Sequence, residues 1–491
     1  MSWPVSSFRG VVSCDDGAVL DHLTPLDASF LYLEDPSTAM NAGSALVLDP
    51  PEGGLDLAQV MRLVEARIDE VPRYRQRVRE MPMRLSGPVW VDDAAFDISY
   101  HVRRAALPAP GGLDQLGEFA ARTLNRPLDR RHPLWELYLV EGLENGRVAL
   151  VTKTHQALVD GVNSIDIAHL LLDAEPREAP PLTERPTPSE PSDLALLAAA
   201  GLEYFGGPGV MLRNVKGGVR GLAAGAWHLG GQAAGVVATL ARTTADPAPT
   251  SPLNAKVGGS RRVSFLRTDL EVYRRVRDAV ADGPLGEGVT INDVMLTVVA
   301  GAVRAWLLNR GEPVHSRSRV KALVPISVGE GTHAATVGLA DRLIACVIDL
   351  PIGEPQALAR LRRISYDMRR QISGGGALGA DTLAGLAGFA PPTLHHLGVR
   401  MAGAMSRRVF NLVITNAPGP QHPLYVGRAR MVGSYPVTPL AAGQALSVGL
   451  TSYDGSVFFG LNGDRAVMAD IERLAQFVPE ALTELISEVS S

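Results

Sequence analysis

Apolar residues recur along the chain at two spacings, and the changes between them mark its elements. Over 55–78 (LDLAQVMRLVEARIDEVPRYRQRV) they fall three and four apart as far as Val71, which predicts a helix; Pro72 interrupts it and an extended segment follows. From Trp135, WELYLVEGL alternates like a strand, Asn145-Gly146 is a tight-turn pair, and RVALVTKT alternates again. A β-hairpin is expected here, its second strand ending at His155. HQALVDG (155–161) comes next, followed by VNSIDIAHLLLDA, in which Val162, Ile165, Ala168, His169 and Leu172 share one helical face. HQALVDG therefore occupies a strand-to-helix turn, a common place for exposed chemistry.

The second half repeats the mixture. Residues 290–310 (TINDVMLTVVAGAVRAWLLNR) read as a helix with polar capping residues at its start and Gly311 just past its end. VKALVPISV and LIACVIDLP read as buried strands, FNLVITNAPGP as a strand stopped by Pro-Gly-Pro, and ALSVGLTSY and SVFFGLNG as a hairpin about Asp454-Gly455. Strands and helices mixed in both halves give an α+β (mixed α/β) class. No GxGxxG or GxxxxGK[ST] phosphate-binding signature is present.

Composition narrows the partners. The 491 residues carry 47 Lys+Arg against 52 Asp+Glu, a net charge of −5, and only Lys153, Lys216, Lys256 and Lys321 are lysines. The cations are thus mostly scattered arginines, which argues against nucleic acid or a polybasic membrane footprint. Cys14 and Cys346 form no disulfide framework or metal-ligand spacing, so a reducing compartment is expected. The first 22 residues show neither the basic nor the apolar region of a secretory signal. Residues 221–241 lack charge over a length that could span a bilayer, but five glycines, a His and a Gln read instead as a helix packed on protein or lying on a lipid surface.

Of the eleven histidines, only His155 sits in a dense local constellation. KTHQALVDGVN resembles the HHxxxDG signature of bacterial wax ester synthase/diacylglycerol acyltransferases, shared more widely by coenzyme-A-dependent acyltransferases and peptide-synthetase condensation domains. LTPLDASFLYLED (23–35), VPRYRQRV (71–78), GPVWVDDAAFDISYHVRRAALP (87–108), HPLWELYLVEGL (132–143), INDVMLTVVAGAVRAWLLNRG (291–311), NLVITNAPGP (411–420) and YPVTPLAAGQALSVGLTSYDGSVFFGL (435–461) are similar to blocks of that family, in the same order.

The resemblance implies a two-lobed acyltransferase fold with the motif in a tunnel between lobes. It divides the chain into a flexible extension (1–22), a first lobe (23–174), a Pro-rich linker with Gly/Ala-rich crossover helices (175–250) and a second lobe (251–491). Acyl-CoA enters from one side and a lipid alcohol, diacylglycerol or a fatty alcohol, from the other. No cofactor beyond the acyl-CoA substrate is implied. The second His of the motif takes the alcohol proton, the oxygen attacks the thioester, and an ester and free coenzyme A form. Asp160 and Gly161 are architectural. A cytoplasmic location with peripheral membrane or lipid-droplet contact fits these substrates.

One position departs from the family. Aligned on Asp160 and Gly161, the second His falls on Gln156 and the first on His155. An amide cannot accept a proton at neutral pH; it can only hydrogen-bond the hydroxyl. Neighbouring residues on a strand face opposite ways, so His155 replaces the missing base only through a changed register or a twisted strand end; otherwise it orients the turn or is satisfied in the core. Two further readings stay open: a weakly active or non-catalytic acyl-CoA- or lipid-binding paralogue, and transfer to a more acidic acceptor such as a thiol or phenol. Asn292-Asp293 resembles a family pair beside the tunnel, yet both residues are also ideal helix caps. Asn416, Pro418 and Gly419 either shape the coenzyme channel or simply make a rigid turn. Arg261, Arg262 and Arg342 read as surface arginines, with coenzyme phosphates as the alternative partner.

Overall fold

A computed structural model describes residues 20–81, 87–159, 167–179, 181, 191–197, 247–281, 288–327, 343–373, 378–379 and 409–489. In the first part of the chain the elements are α1 (Pro25–Leu33), β1 (Asn41–Asp49), α2 (Leu57–Arg67), β2 (Gln76–Arg79), β3 (Val89–Asp92), α3 (Ile98–His101), β4 (Val102–Ala106), α4 (Leu113–Leu124), β5 (Trp135–Glu141), β6 (Val148–His155), α5 (Gln156–Val159), α6 (Ile167–Leu171) and β7 (Leu172–Asp173). The second part holds β8 (Arg261–Asp269), α7 (Leu270–Ala281), α8 (Ile291–Asn309), β9 (Val320–Ser327), β10 (Leu343–Leu350), α9 (Ala357–Ser373), β11 (Leu378–Gly379), β12 (Leu412–Pro418), β13 (Tyr425–Val426), β14 (Ala429–Val437), β15 (Leu446–Tyr453), β16 (Ser456–Asp464) and α10 (Ile471–Val489).

Local chemistry explains most of these boundaries. The hairpin of β5 and β6 turns at Asn145 and Gly146, both at positive φ, and that of β15 and β16 turns at Asp454 and Gly455 in the same way. The α8 helix begins in a capping box, where the Thr290 hydroxyl accepts from the Asp293 N–H while the Asp293 carboxylate accepts from the Thr290 N–H. Two expectations are corrected. The α2 helix ends at Arg67 rather than reaching Val71, because 3-10 turns take over ahead of Pro72. Leu172 is not on a helical face: α6 gives way there to β7, which pairs with β13.

Two seven-stranded sheets result, in the orders β4-β5-β6-β1-β14-β13-β7 and β11-β10-β9-β12-β15-β16-β8. The first includes β13 and β14, which lie in the 251–491 segment, so the late chain completes the early sheet. Strand β14 does this by crossing over β15 and β16 at a paired glycine step. Gly449 and Gly460 stand opposite each other, and a Cβ on Gly460 would lie 1.7 Å from the Pro436 carbonyl oxygen. Only the absence of side chains lets the backbones meet.

Two cores follow. One gathers leucines and valines of α2, β1, β5 and β6, and takes in Val263 and Phe265 of β8, Tyr453 of β15 and Phe458 of β16. The other surrounds α8, apolar on most of its circumference, and includes Trp306, Phe459 and the inner face of α10.

Candidate active site

The end of β6 is fixed from both sides before any chemistry is considered. Every residue of β6 is buried, and His155 stands in register with Asn41 of β1. The Asn41 amide donates to the carbonyls of Leu124 (2.9 Å) and Arg126 (2.8 Å), clamping the C-terminal end of α4 over the same sheet face. The His155 N–H donates to Leu134 O at 3.0 Å and the Gln156 N–H to Met40 O at 2.8 Å, so the backbone turns into α5 at a defined point.

His155 is 1% exposed. Its Nδ1 accepts the Ala157 N–H at 3.0 Å, which places the ring proton on Nε2, 3.7 Å from the Glu34 carboxylate. Glu34 is itself paired with Arg130 at 2.9 Å. Burial first, and the nearby Arg130 charge second, hold the imidazole down to about 3. The carboxylate would favour protonation, but Arg130 already neutralises it, so desolvation wins. With Nδ1 occupied and Nε2 carrying hydrogen, the ring has no lone pair to offer an alcohol. Gln156, by contrast, is only half-buried, and its side-chain amide has no hydrogen-bond partner among the described residues. It can donate to and accept from a hydroxyl, but it cannot take its proton. Asp160 and Gly161 lie outside the described residues, as do Arg342 and the uncharged stretch 221–241.

The second group of candidates meets at the start of α8. Asn416 on β12 donates to Asn292 Oδ1 at 2.9 Å and to Met295 Sδ at 3.4 Å. The Asn416 Oδ1 is buried without a partner, which leaves an acceptor to be satisfied by something else. Asp293 turns the other way, into its capping box, 2% exposed, and burial raises its pKa above the usual carboxylate range. Pro418 is exposed, whereas the Gly419 N–H donates to Ser452 O at 2.9 Å and a Cβ at Gly419 would stand 2.5 Å from that oxygen. The turn is therefore seated tightly on the end of β15. Asn292 and Asn416 are brought together, while Asp293, Pro418 and Gly419 serve the helix start and the turn.

Arg261 is buried rather than on the surface. Its guanidinium donates to the carbonyls of Gly258 at 2.8 Å, Ser260 at 3.2 Å and Ser37, tying the second sheet to the loop after α1. Arg262 pairs with Glu472 at 2.9 Å. Sequence reasoning missed Glu34, Arg130, Asn41 and the buried pair Lys153–Glu136 (3.0 Å). A weak signal existed for that pair, since strand alternation puts Glu136 and Lys153 on one face of the hairpin, where they stand directly opposite each other.

The profile of the wax ester synthase/diacylglycerol acyltransferase catalytic domain matches residues 23–295, and that of the C-terminal domain of the same family matches residues 341–486. The chain is similar to a Mycobacterium tuberculosis protein named "Probable diacyglycerol O-acyltransferase tgs2", 33% identical over 478 residues covering 95% of this chain and 99% of that one. It also resembles the solved structure of the wax ester synthase/diacylglycerol acyltransferase from Marinobacter aquaeolei VT8, with a TM-score of 0.65, 29% identity, and coverage of 96% of this chain and all of that one. The first condensation domain of the calcium-dependent antibiotic synthetase shares the fold alone, at a TM-score of 0.54, 16% identity and 97% coverage of each chain.

Proposed function

Because the chain belongs to the wax ester synthase/diacylglycerol acyltransferase family, we propose that it transfers the acyl group of an acyl-CoA to the hydroxyl of a diacylglycerol or fatty alcohol by positioning alone, without a general base. Acyl transfer is the activity of the family. The observation that carries the finer reading is the unpartnered, half-buried amide of Gln156 beside a His155 whose lone pair is occupied. The amide holds the hydroxyl against the thioester carbonyl, the C–O bond forms as the C–S bond breaks, and the hydroxyl proton ends on the coenzyme sulfur. Orientation can supply much of a barrier reduction, whereas a general base is worth roughly 10²–10⁴-fold. Slow turnover is the expected signature.

The acceptor is water-insoluble, and the uncharged stretch 221–241 supports its uptake at a membrane or lipid-droplet surface on the cytoplasmic side. The test is transfer from radiolabelled acyl-CoA to dioleoylglycerol and hexadecanol, read by thin-layer chromatography, with wild type and Gln156→His. Slow ester formation by the wild type, raised roughly 10²-fold or more by the imidazole, is expected. Acyl-CoA binding with no ester from the wild type, and ester from Gln156→His, would make the natural chain a binding paralogue. No ester from either would overturn the assignment of substrates.

A further inference from the structure

The sheet face that carries His155 also carries Lys153, two residues earlier on β6 and therefore about 7 Å along the strand. Lys153 forms the floor of a cleft of about 350 Å³ between α4 and strands β4, β5 and β6, lined also by Arg103, Arg122, Arg126, Glu136 and Tyr138. Lys153, Arg103, Glu136 and Tyr138 lie in family-like segments but none is an HHxxxDG position, and acyl transfer through Gln156 uses none of the lining residues.

The charges do not cancel. Glu136 is the one carboxylate in the lining, and it is already engaged by Lys153 at 3.0 Å, by the Tyr138 hydroxyl at 2.9 Å and by Arg103 at 3.3 Å. Lys153 is 2% exposed, and burial lowers its hold on its proton in spite of the Glu136 charge. An ammonium has three protons to donate, of which Glu136 takes one. Arg122 and Arg126, a helical turn apart in sequence, are exposed and have no ion-pair partner among the described residues. Arg126 is held in place through its own carbonyl by Asn41. Arg103 lies over the Tyr100 ring at 4.8 Å, with its Nε–H on Tyr100 O, so its fork is fixed in direction. Phe119 and Tyr138, edge to face at 5.7 Å, supply an apolar wall. Four cations around one saturated carboxylate, with a buried ammonium at the base, match a doubly charged anion that has several acceptor oxygens.

The larger groove on the other side of α4, about 590 Å³, does not compete. Its Arg261 is engaged by backbone carbonyls, its Arg262 is paired with Glu472, and its remaining cations, Arg465 and the Arg122 that borders both grooves, share it with Asp114 and Glu118.

We propose that the cleft over Lys153 binds a phosphate-bearing group next to the catalytic turn, supplied by the acyl-CoA or by the headgroup of an anionic glycerolipid. The first source rests on the acyl-CoA reading; the second does not. The test uses the full chain, with Arg122→Ala/Arg126→Ala as the variant, both positions being exposed and therefore outside the core. Adenosine 3′,5′-bisphosphate binding is measured by calorimetry, and co-sedimentation is measured with phosphatidylcholine vesicles with and without one-fifth phosphatidic acid.

Loss of nucleotide affinity by about tenfold or more in the variant, with recovery in Arg122→Lys/Arg126→Lys, identifies the coenzyme as the source. Loss of co-sedimentation confined to the phosphatidic acid vesicles identifies the lipid. In either case added salt weakens the binding. Wild type that binds neither probe, or a double variant that binds both unchanged, overturns the proposal. Binding needs no turnover, so an inactive protein that still loses the anion on substitution would sink the catalytic reading and leave the cleft intact.

Discussion

At the scale of single residues, the two positions at the turn have exchanged what they can do. His155 is a titratable group made inert by burial, and Gln156 is a reachable group that does not titrate. The inertness has a pH signature, reinforced by His101, which is fully buried, donates from Nδ1 to Trp135 O at 2.8 Å and is held down to about 4 by burial. Unfolded, both rings titrate near 6.5. Above that pH neither state binds the extra proton and stability is flat. As pH falls below it the unfolded chain takes up protons that the folded chain refuses, until about 4 for His101 and about 3 for His155. Stability to urea should therefore fall by roughly 3 kcal/mol per pH unit between pH 6 and about 4.5 from these two groups. His155→Asn, whose amide oxygen can still accept the Ala157 N–H, should halve that slope; an unchanged slope would show that His155 is protonated in the fold. The motif itself was legible in HQALVDG, but Glu34 and Arg130 were not. Charged residues in a polar loop read as solvated, and nothing in their spacing says that they converge 3.7 Å or less from the ring and from each other.

At the scale of elements, local rules located most pieces and long-range pairing decided their partners. The Asn-Gly and Asp-Gly turns and the Thr290 cap each rest on a few adjacent residues, and a sequence displays them directly. That β1 pairs with β14, Val47 opposite Gly433, leaves no local trace, because any apolar strand would satisfy the pattern of β1. The glycines sharpen the contrast. Gly146 is at φ +70°, and a methyl there would have open space around it for 4 Å, so Gly146→Ala should cost only about 1 kcal/mol of backbone strain. In Gly460→Ala the methyl would meet the Pro436 carbonyl, so β14 must lift from β16; a loss of about 3 kcal/mol or more in urea unfolding is expected. Equal costs at the two sites would mean that β14 crosses β16 without close backbone contact.

At the scale of the whole molecule, the lobes are not separable units of chain. Tyr435 of β14 packs against Phe265 at 4.9 Å and Phe458 at 5.2 Å, and Arg261 holds Ser37. An N-terminal fragment ending at 250 would lack β14 and leave one side of β1 unpaired. Such a fragment is expected to be insoluble on expression and to become soluble when 251–491 is supplied in trans; a soluble, protease-resistant fragment on its own would contradict the shared core. The same exchange of strands bears on how the protein is made. Strand β6 leaves the ribosome roughly 280 residues before β14 does, an interval of about 15 to 55 s at about 5 to 20 residues per second. Throughout that interval the nascent first sheet has an open apolar edge, available to any other unfinished chain nearby. The turn that carries Gln156 is therefore set on a sheet that only a nearly complete polypeptide can close, and the protein's cellular yield should depend on holding chaperones far more than the local strength of its hairpins would suggest.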